Sequence, residues 1–204
     1  MPRLIHFQPE PLEPPVGWEK LDVNTLAQTP WIQLDTERWR TAGREGEVVW
    51  TVAHRKPAIA LAAKTEDGRF LMVRQERVSI RRPSLEFVAG QIDDIERNTD
   101  PAVILETIEN ELAEEAGYAI PGDSEVVSLG HYFTSPGFTN ELIYLFFARD
   151  VTPLPQGNNP DSSEVFLGCE LLTGDELREA VAQNRLVDSL SLALFARMTA
   201  RGLL

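Results

Sequence analysis

The sequence predicts an α+β fold or a mixed α/β layer. Two observations carry that prediction. Short strand-like runs fill most of the first half of the chain, and helical patterns appear once in the middle and twice near the end. A third observation narrows it, because no segment repeats and a solenoid or propeller is excluded.

Residues 1–17 carry Pro2, Pro9, Pro11, Pro14 and Pro15 and read as an extended arm with no core of its own. Residues 18–55 read as a separate β-segment. In it "WIQLDTERW" and "EVVWTVAHR" are strands joined by the turn-like "TAGREG". Residues 56–204 form the main domain. "AIALAAKT" and "RFLMVRQ" flank "EDGR" and predict a hairpin, and "SLEFVAG" is a further strand ending in glycine. After the polar loop "QIDDIERNTD", Asp100 and Pro101 supply a capping oxygen and a proline at the first helical position. The helix they open runs to Ala116 and stops at Gly117, a residue suited to a left-handed cap. "EVVSLGHYF" and "NELIYLFFARD" are strands, "VTPLPQGNNPDSSE" is a loop long enough to suggest function, and "EVFLGCELL" is strand-like. "GDELREAVAQN" and "DSLSLALFARMTARGLL" are helices.

The chain has 204 residues, 43% hydrophobic and 25% charged, in the range of an ordinary globular domain with a sizeable core. No apolar run approaches the roughly 20 residues of a membrane span, and the N-terminus lacks the apolar segment of a secretory signal. The single cysteine, Cys169, excludes an internal disulfide and fits a reducing cytoplasm, where the protein is expected. A net charge of −13 argues against nucleic acid as a partner. It leaves small phosphate compounds open if metal ions bridge the two negative partners, although solubility accounts for most of the excess.

The end of the middle helix, "ENELAEEAGY", concentrates carboxylates where a helix least favours them. On a wheel of about 100° per residue, Ile104, Leu105, Ile108 and Leu112 share one apolar arc. Glu115 falls inside that arc, Glu111 at its edge and Glu114 beside it, whereas Glu109 is expected in solvent. Glu111 and Glu115 are like charges one turn apart, at a cost of about 0.2–0.5 kcal/mol. The helix dipole disfavours anions at this end by a further ~0.3–1 kcal/mol. A hard divalent cation reverses both penalties; an arginine from elsewhere paired with Glu115 is the alternative.

"LEFVAGQID" followed by "NELAEEAGY" resembles the Nudix box, G-x5-E-x7-R-E-U-x-E-E-x-G-U, with U aliphatic. "FLMVRQERVSIRRPSLEFVAG" before it, "YFTSPGFTNELIYLFFARD" after it and the late "RLVDSLSLALFARM" resemble the ADP-ribose pyrophosphatase branch of Nudix hydrolases, in the branch's order. The likeness spans roughly residues 18–200. The sequence departs from the box at Asn110, which stands in place of the arginine, at Ala102, where the upstream glutamate is expected, and in the lengthened loop "DDIERNTD".

The resemblance implies an α/β/α sandwich, with a mixed sheet between helices and a small N-terminal antiparallel β-segment that pairs two subunits in a homodimer. It implies metal-dependent hydrolysis of a nucleoside diphosphate sugar, with ADP-ribose the leading substrate and GDP-mannose or another nucleoside diphosphate the alternative. A further alternative, suggested by Asn110, is nucleotide binding without hydrolysis. The implied ligands of Mg²⁺ or Mn²⁺ are Glu111, Glu114, Glu115 and the Ala89 carbonyl. The implied general base is Glu164, with Asp161 in reserve. Arg77 matches a phosphate-facing position, with Arg81 and Arg82 as alternatives, Glu86 matches an acid on the substrate side, and Ser135 and Gly137 lie in the implied substrate loop "SPGF". Trp31 and Trp50 match aromatics that sandwich the base; the residues themselves equally allow a core or interface role.

Overall fold

The computed structural model describes residues 1–10, 14, 16–159 and 165–204. Strand β1 (Arg3–Ile5) opens the chain, and β2 (Glu19–Gln28), β3 (Gln33–Arg40) and β4 (Glu47–His54) form a separate antiparallel sheet. β5 (Ala58–Thr65) and β6 (Phe70–Arg77) make the expected hairpin, which turns at Gly68 with φ 85°, a conformation that favours a residue without Cβ. The single strand expected at "SLEFVAG" is two: β7 (Arg82–Glu86) pairs with β6, and β8 (Val88–Gln91) pairs with β5. Phe87 is buried at the corner where the chain changes partner.

Helix α1 (Pro101–Glu111) starts as expected, with the Asp100 side chain accepting the Ala102 N–H at 2.8 Å. Its end differs from the expectation. Leu112–Ala116 winds as a wider π-helical turn before Gly117 closes it at φ 69°. Such turns gather at functional sites because they reorient the side chains that follow a regular helix. Then come β9 (Tyr118–Ala119), β10 (Glu125–Phe133), β11 (Leu142–Pro153), β12 (Phe166–Leu172), α2 (Gly174–Ala182) and α3 (Ser189–Ala200).

The main sheet runs β1-β10-β11-β5-β6-β12, with β11 antiparallel to β10 and parallel to β5. Its central strands are apolar on both faces because helices cover both. In β5, Ile59, Leu61 and Ala63 face the layer of α1, while Ala58, Ala60 and Ala62 face the layer of α2 and α3. β11 alternates likewise, with Tyr144 and Phe146 on the α1 side and Leu145 and Phe147 on the other. The architecture is the α/β/α sandwich with a mixed sheet. Ile104, Ile108 and Leu112 anchor α1 to it, each contributing about 1.5–3 kcal/mol by burial.

The N-terminal arm does more than extend. β1 pairs in parallel with β10, and Phe7 meets Tyr144 edge-on with ring centroids 5.1 Å apart. The prolines do not prevent this because Arg3–Ile5, a proline-free stretch, does the pairing. The small sheet joins the large one through the "SPGF" turn. Ala53 N–H donates to the Phe138 carbonyl at 2.7 Å, and the Thr139 hydroxyl donates to the Ala53 carbonyl at 2.7 Å.

Candidate active site

The end of α1 is drawn against β8 by two contacts. The Ala89 N–H donates to Glu115 Oε2 at 3.2 Å, and Glu115 is only 3% exposed. The Glu111 carboxylate lies where any side chain at position 90 would begin, since a Cβ built on Gly90 would fall 1.6 Å from Glu111 Oε1. Glycine is therefore a requirement of close approach here. Glu111 is half-buried, Glu114 is exposed, and both line a cavity of about 400 Å³ together with Ala89, Gly90, Arg77 and Trp31. Glu115 lies buried beside this cavity, tied to the Ala89 amide that lines it. The donor set is all oxygen, from carboxylates and backbone, which suits a hard divalent cation. Glu109 departs from the expectation: it is half-buried, and burial pushes its carboxyl up.

Arg77 and Glu86, each expected to face the substrate, hold each other in the fold. Arg77 Nε donates to Glu86 Oε1 at 3.0 Å and Nη2 to Oε2 at 2.7 Å, a two-pronged pair whose acid is 4% exposed. The pair fixes the plane of the guanidinium at the cavity wall. Arg55 makes a second pair there, with Glu141 at 2.8 Å.

Beyond Arg77 and Glu141 a second chamber of about 490 Å³ opens between β7, β10 and the start of α3. Asp188 caps α3 by accepting the Ser191 N–H at 2.7 Å. Burial first, and then the neighbouring Glu86 carboxylate, push its carboxyl up to about 6. Burial likewise pushes the Tyr132 hydroxyl up to about 12. The buried Ser191 hydroxyl accepts the Phe87 N–H at 3.0 Å, which ties α3 to the corner that presents Ala89 and Gly90.

Trp31 and Trp50 do not meet within one chain. Trp31 is 64% exposed at the rim of the acidic cavity, whereas Trp50 lines a separate groove with Trp18, Trp39 and Pro136. The Trp50 N–H donates to the Gly137 carbonyl at 3.0 Å, and Ser135 accepts N–H bonds from Phe138 and Thr139. Ser135 and Gly137 thus shape the turn that carries the small sheet, and neither lines the acidic cavity. Glu164 and Asp161 lie outside the described residues.

Sequence reading missed one constellation. Asp35, Glu37 and His54 bring ligand-type atoms within 4.8 Å of one another, the one such group among the described residues. Its signal was the i, i+2 spacing of two acids on a strand, which places both on one face. Glu37 accepts from Lys20 Nζ at 2.5 Å and from the Trp39 N–H at 2.7 Å, and it lies 3.1 Å from His54 Nε2. These partners, hydrogen bonds first, hold the Glu37 carboxyl below its ordinary range against the opposing effect of burial, which is the largest single influence.

The sequence and the layered fold are matched by known proteins. A protein named ADP-ribose pyrophosphatase from Bacillus subtilis (strain 168) is 30% identical over 121 residues, 59% of this chain and 60% of that protein. A protein named methanol dehydrogenase activator from Bacillus methanolicus is 32% identical over 132 residues, 65% of this chain and 66% of that protein. The chain therefore aligns with under two thirds of the length of these curated relatives. A crystal structure titled ADP compounds hydrolase superposes with a TM-score of 0.73 at 14% identity, covering 94% of this chain and 100% of the other, which is a likeness of fold. Among the described residues no helix is long and apolar enough to cross a membrane. Residues 54–190 match the NUDIX domain model, about two thirds of the sequence, and the chain belongs to the Nudix family.

Proposed function

We propose that the chain hydrolyses the diphosphate linkage of ADP-ribose or a related nucleoside diphosphate sugar, giving a nucleoside monophosphate and a sugar phosphate. The observation that carries the reading is the buried Glu115, held by the Ala89 amide beside the Gly90-supported Glu111 at the wall of a cavity. The names of the Bacillus subtilis relative and of the superposed structure support the substrate class.

Glu111, Glu114, Glu115 and the Ala89 carbonyl would hold Mg²⁺ or Mn²⁺. Such an ion, when bound, supplies an activated water and charge neutralisation at the phosphates. Gly90 keeps the floor thin enough for Glu111 to reach the cavity. Arg77, its guanidinium plane set by Glu86, faces the diphosphate. Trp31 offers a flat exposed ring at the rim on which a base stacks. Glu164, assigned by resemblance, takes the proton of the attacking water. Trp50 joins the base site only from a second copy. A homodimer is proposed accordingly, and it also covers the exposed Val23, Leu26, Ile32 and Val49 of the small sheet.

The test is turnover of a panel of nucleotide sugars with Mg²⁺ or Mn²⁺, with Glu115→Gln as control. Release of AMP from ADP-ribose above the control supports the reading; no turnover of any panel member sinks it. A second reading, binding without hydrolysis, is favoured by Asn110, an exposed residue where the box has arginine. Under it, ADP-ribose binds and is recovered intact, and Asn110→Arg stays inert.

A further inference from the structure

His54 stands where the small sheet meets the main domain, at the last position of β4, and its ring has a different partner at each nitrogen. Nε2 lies 3.1 Å from Glu37 Oε1 and 3.4 Å from Asp35 Oδ2, both on β3. Nδ1 lies 3.0 Å from Asn140 Nδ2, in the segment between β10 and β11. The Asn140 amide is held in one orientation, because its Oδ1 accepts the Arg55 N–H at 3.3 Å. Its nitrogen therefore faces the ring, and an amide nitrogen only donates. The ring that fits both partners is neutral, with Nδ1 as a bare acceptor and the proton on Nε2, donated to Glu37.

The acid side of the ring favours the opposite state. Asp35 and Glu37, each 3% exposed, face one ammonium, that of Lys20 on β2, 2.5 Å from Glu37. Two nearly buried carboxylates against one cation leave a negative charge that an imidazolium answers. An imidazolium carries a proton on Nδ1 as well, and sets it against the hydrogens of the Asn140 amide. The charged groups around the ring are Lys20 from β2, Asp35 and Glu37 from β3 and, beyond Asn140, the Arg55–Glu141 pair. Neutral, His54 holds Asn140; charged, it answers the acids and gives Asn140 up.

Asn140 in turn braces one wall of the acidic cavity. It fixes the backbone at Arg55, and Glu141 follows it in the chain. Arg55 and Glu141 pair at 2.8 Å, and both line the cavity. His54 does not line it. We propose that His54 is a positioning residue: its neutral ring latches Asn140 and so sets the Arg55–Glu141 wall, and uptake of a proton on Nδ1 releases that wall. The effect on substrate rests on the nucleotide-sugar reading above, whereas the latch rests on the geometry of the junction.

The experiment has two arms, both on the full chain. In the first, long-range ¹H–¹⁵N spectra at about pH 8 read the tautomer of His54, assigned against His54→Gln. The proton is expected on Nε2; a proton on Nδ1 overturns the latch, whatever the protein hydrolyses. In the second, KM and kcat for ADP-ribose with Mg²⁺ are measured from about pH 5.5 to about pH 8. The wild-type KM is expected to be about fivefold higher at the acid end than at the basic end. His54→Gln and Asn140→Ala are expected to show the raised KM at every pH, with kcat within about threefold of the wild type. Asn140→Asp keeps the shape and offers a carboxylate to the Nδ1 proton, so it is expected to reverse the profile, with the low KM at the acid end. A merely structural histidine would lower the melting temperature of its variants and leave the shape of the KM profile unchanged, and that outcome overturns the proposal. A wild type that turns over no nucleotide sugar overturns the parent reading and the positioning role with it, and the first arm still decides the latch.

Discussion

Two groups of acids in this chain, one in the small sheet and one at the end of α1, have different surroundings. In the small sheet, Asp35 and Glu37 are almost wholly buried and tied into Lys20, Gln33, Trp39 and His54. At the end of α1, Glu111 and Glu115 rest on a glycine and a backbone amide, and Glu111 and Glu114 front a cavity. Proximity alone would choose the first group as a metal site, since its atoms lie closer together. Chemistry favours the second. An ammonium 2.5 Å from a carboxylate already occupies the place a cation would take. Glu111 and Glu114 front a cavity that a cation can enter from solvent, whereas Asp35 and Glu37 are closed in by their partners.

The comparison can be broken most directly at Glu115. Glu115→Gln preserves the shape and is expected to lower kcat on the preferred nucleotide sugar by about 10²–10³-fold. The companion Glu37→Gln should leave kcat within a few-fold when measured on folded protein. Equal losses would erase the distinction between the two groups.

Metal binding sharpens the same contrast. Added Mn²⁺ is expected to stabilise the wild type, by about 2.7 kcal/mol at a hundredfold excess over Kd, read as a rise in Tm. Glu115→Gln should lose most of that rise and Glu37→Gln should keep it. Retention by the first and loss by the second would overturn the proposed metal site and favour the small sheet.

Stability should respond in the opposite sense. Glu37→Gln replaces the charge that serves the Lys20 ammonium, the Trp39 N–H and His54, and it is expected to cost about 1–3 kcal/mol in denaturant unfolding. Glu115→Gln, at the proposed metal site, should cost less.

The smallest effect concerns Asp188. Its carboxyl stands at about 6 against an ordinary 3.8, so the folded chain holds a proton that the unfolded chain releases. The stability linked to that proton is complete below pH 4 and is lost as pH rises through about 6. Asp188→Asn should flatten this dependence between pH 4.5 and 7.5, by an amount on the order of 1–2 kcal/mol once solvent screening is allowed for. An identical slope in the variant would assign the pH dependence elsewhere.

Much of the fold was legible because its signals are local. Asp100-Pro101 marked the start of α1 and Gly117 the close of the π-wound turn that follows it, and the apolar arc placed Glu115 inside the structure before any tertiary contact was known. The split of "SLEFVAG" at Phe87 was not legible, because a change of strand partner leaves no mark in alternation. The π-wound turn was equally hidden, since it differs from an α-turn by one residue in its hydrogen bonding.

By itself the sequence determined the layered class, the strand and helix order, and the clustering of Glu111, Glu114 and Glu115 at one helix end. Periodicity and caps act over a few residues and are written in the chain. Only the tertiary structure decided that Arg77 is clasped by Glu86, that Trp31 and Trp50 front different spaces, and that Asp188 reaches a chamber shared with Ser84. Each of these pairs side chains from separate elements, and their meeting depends on how the sheet twists and the helices dock.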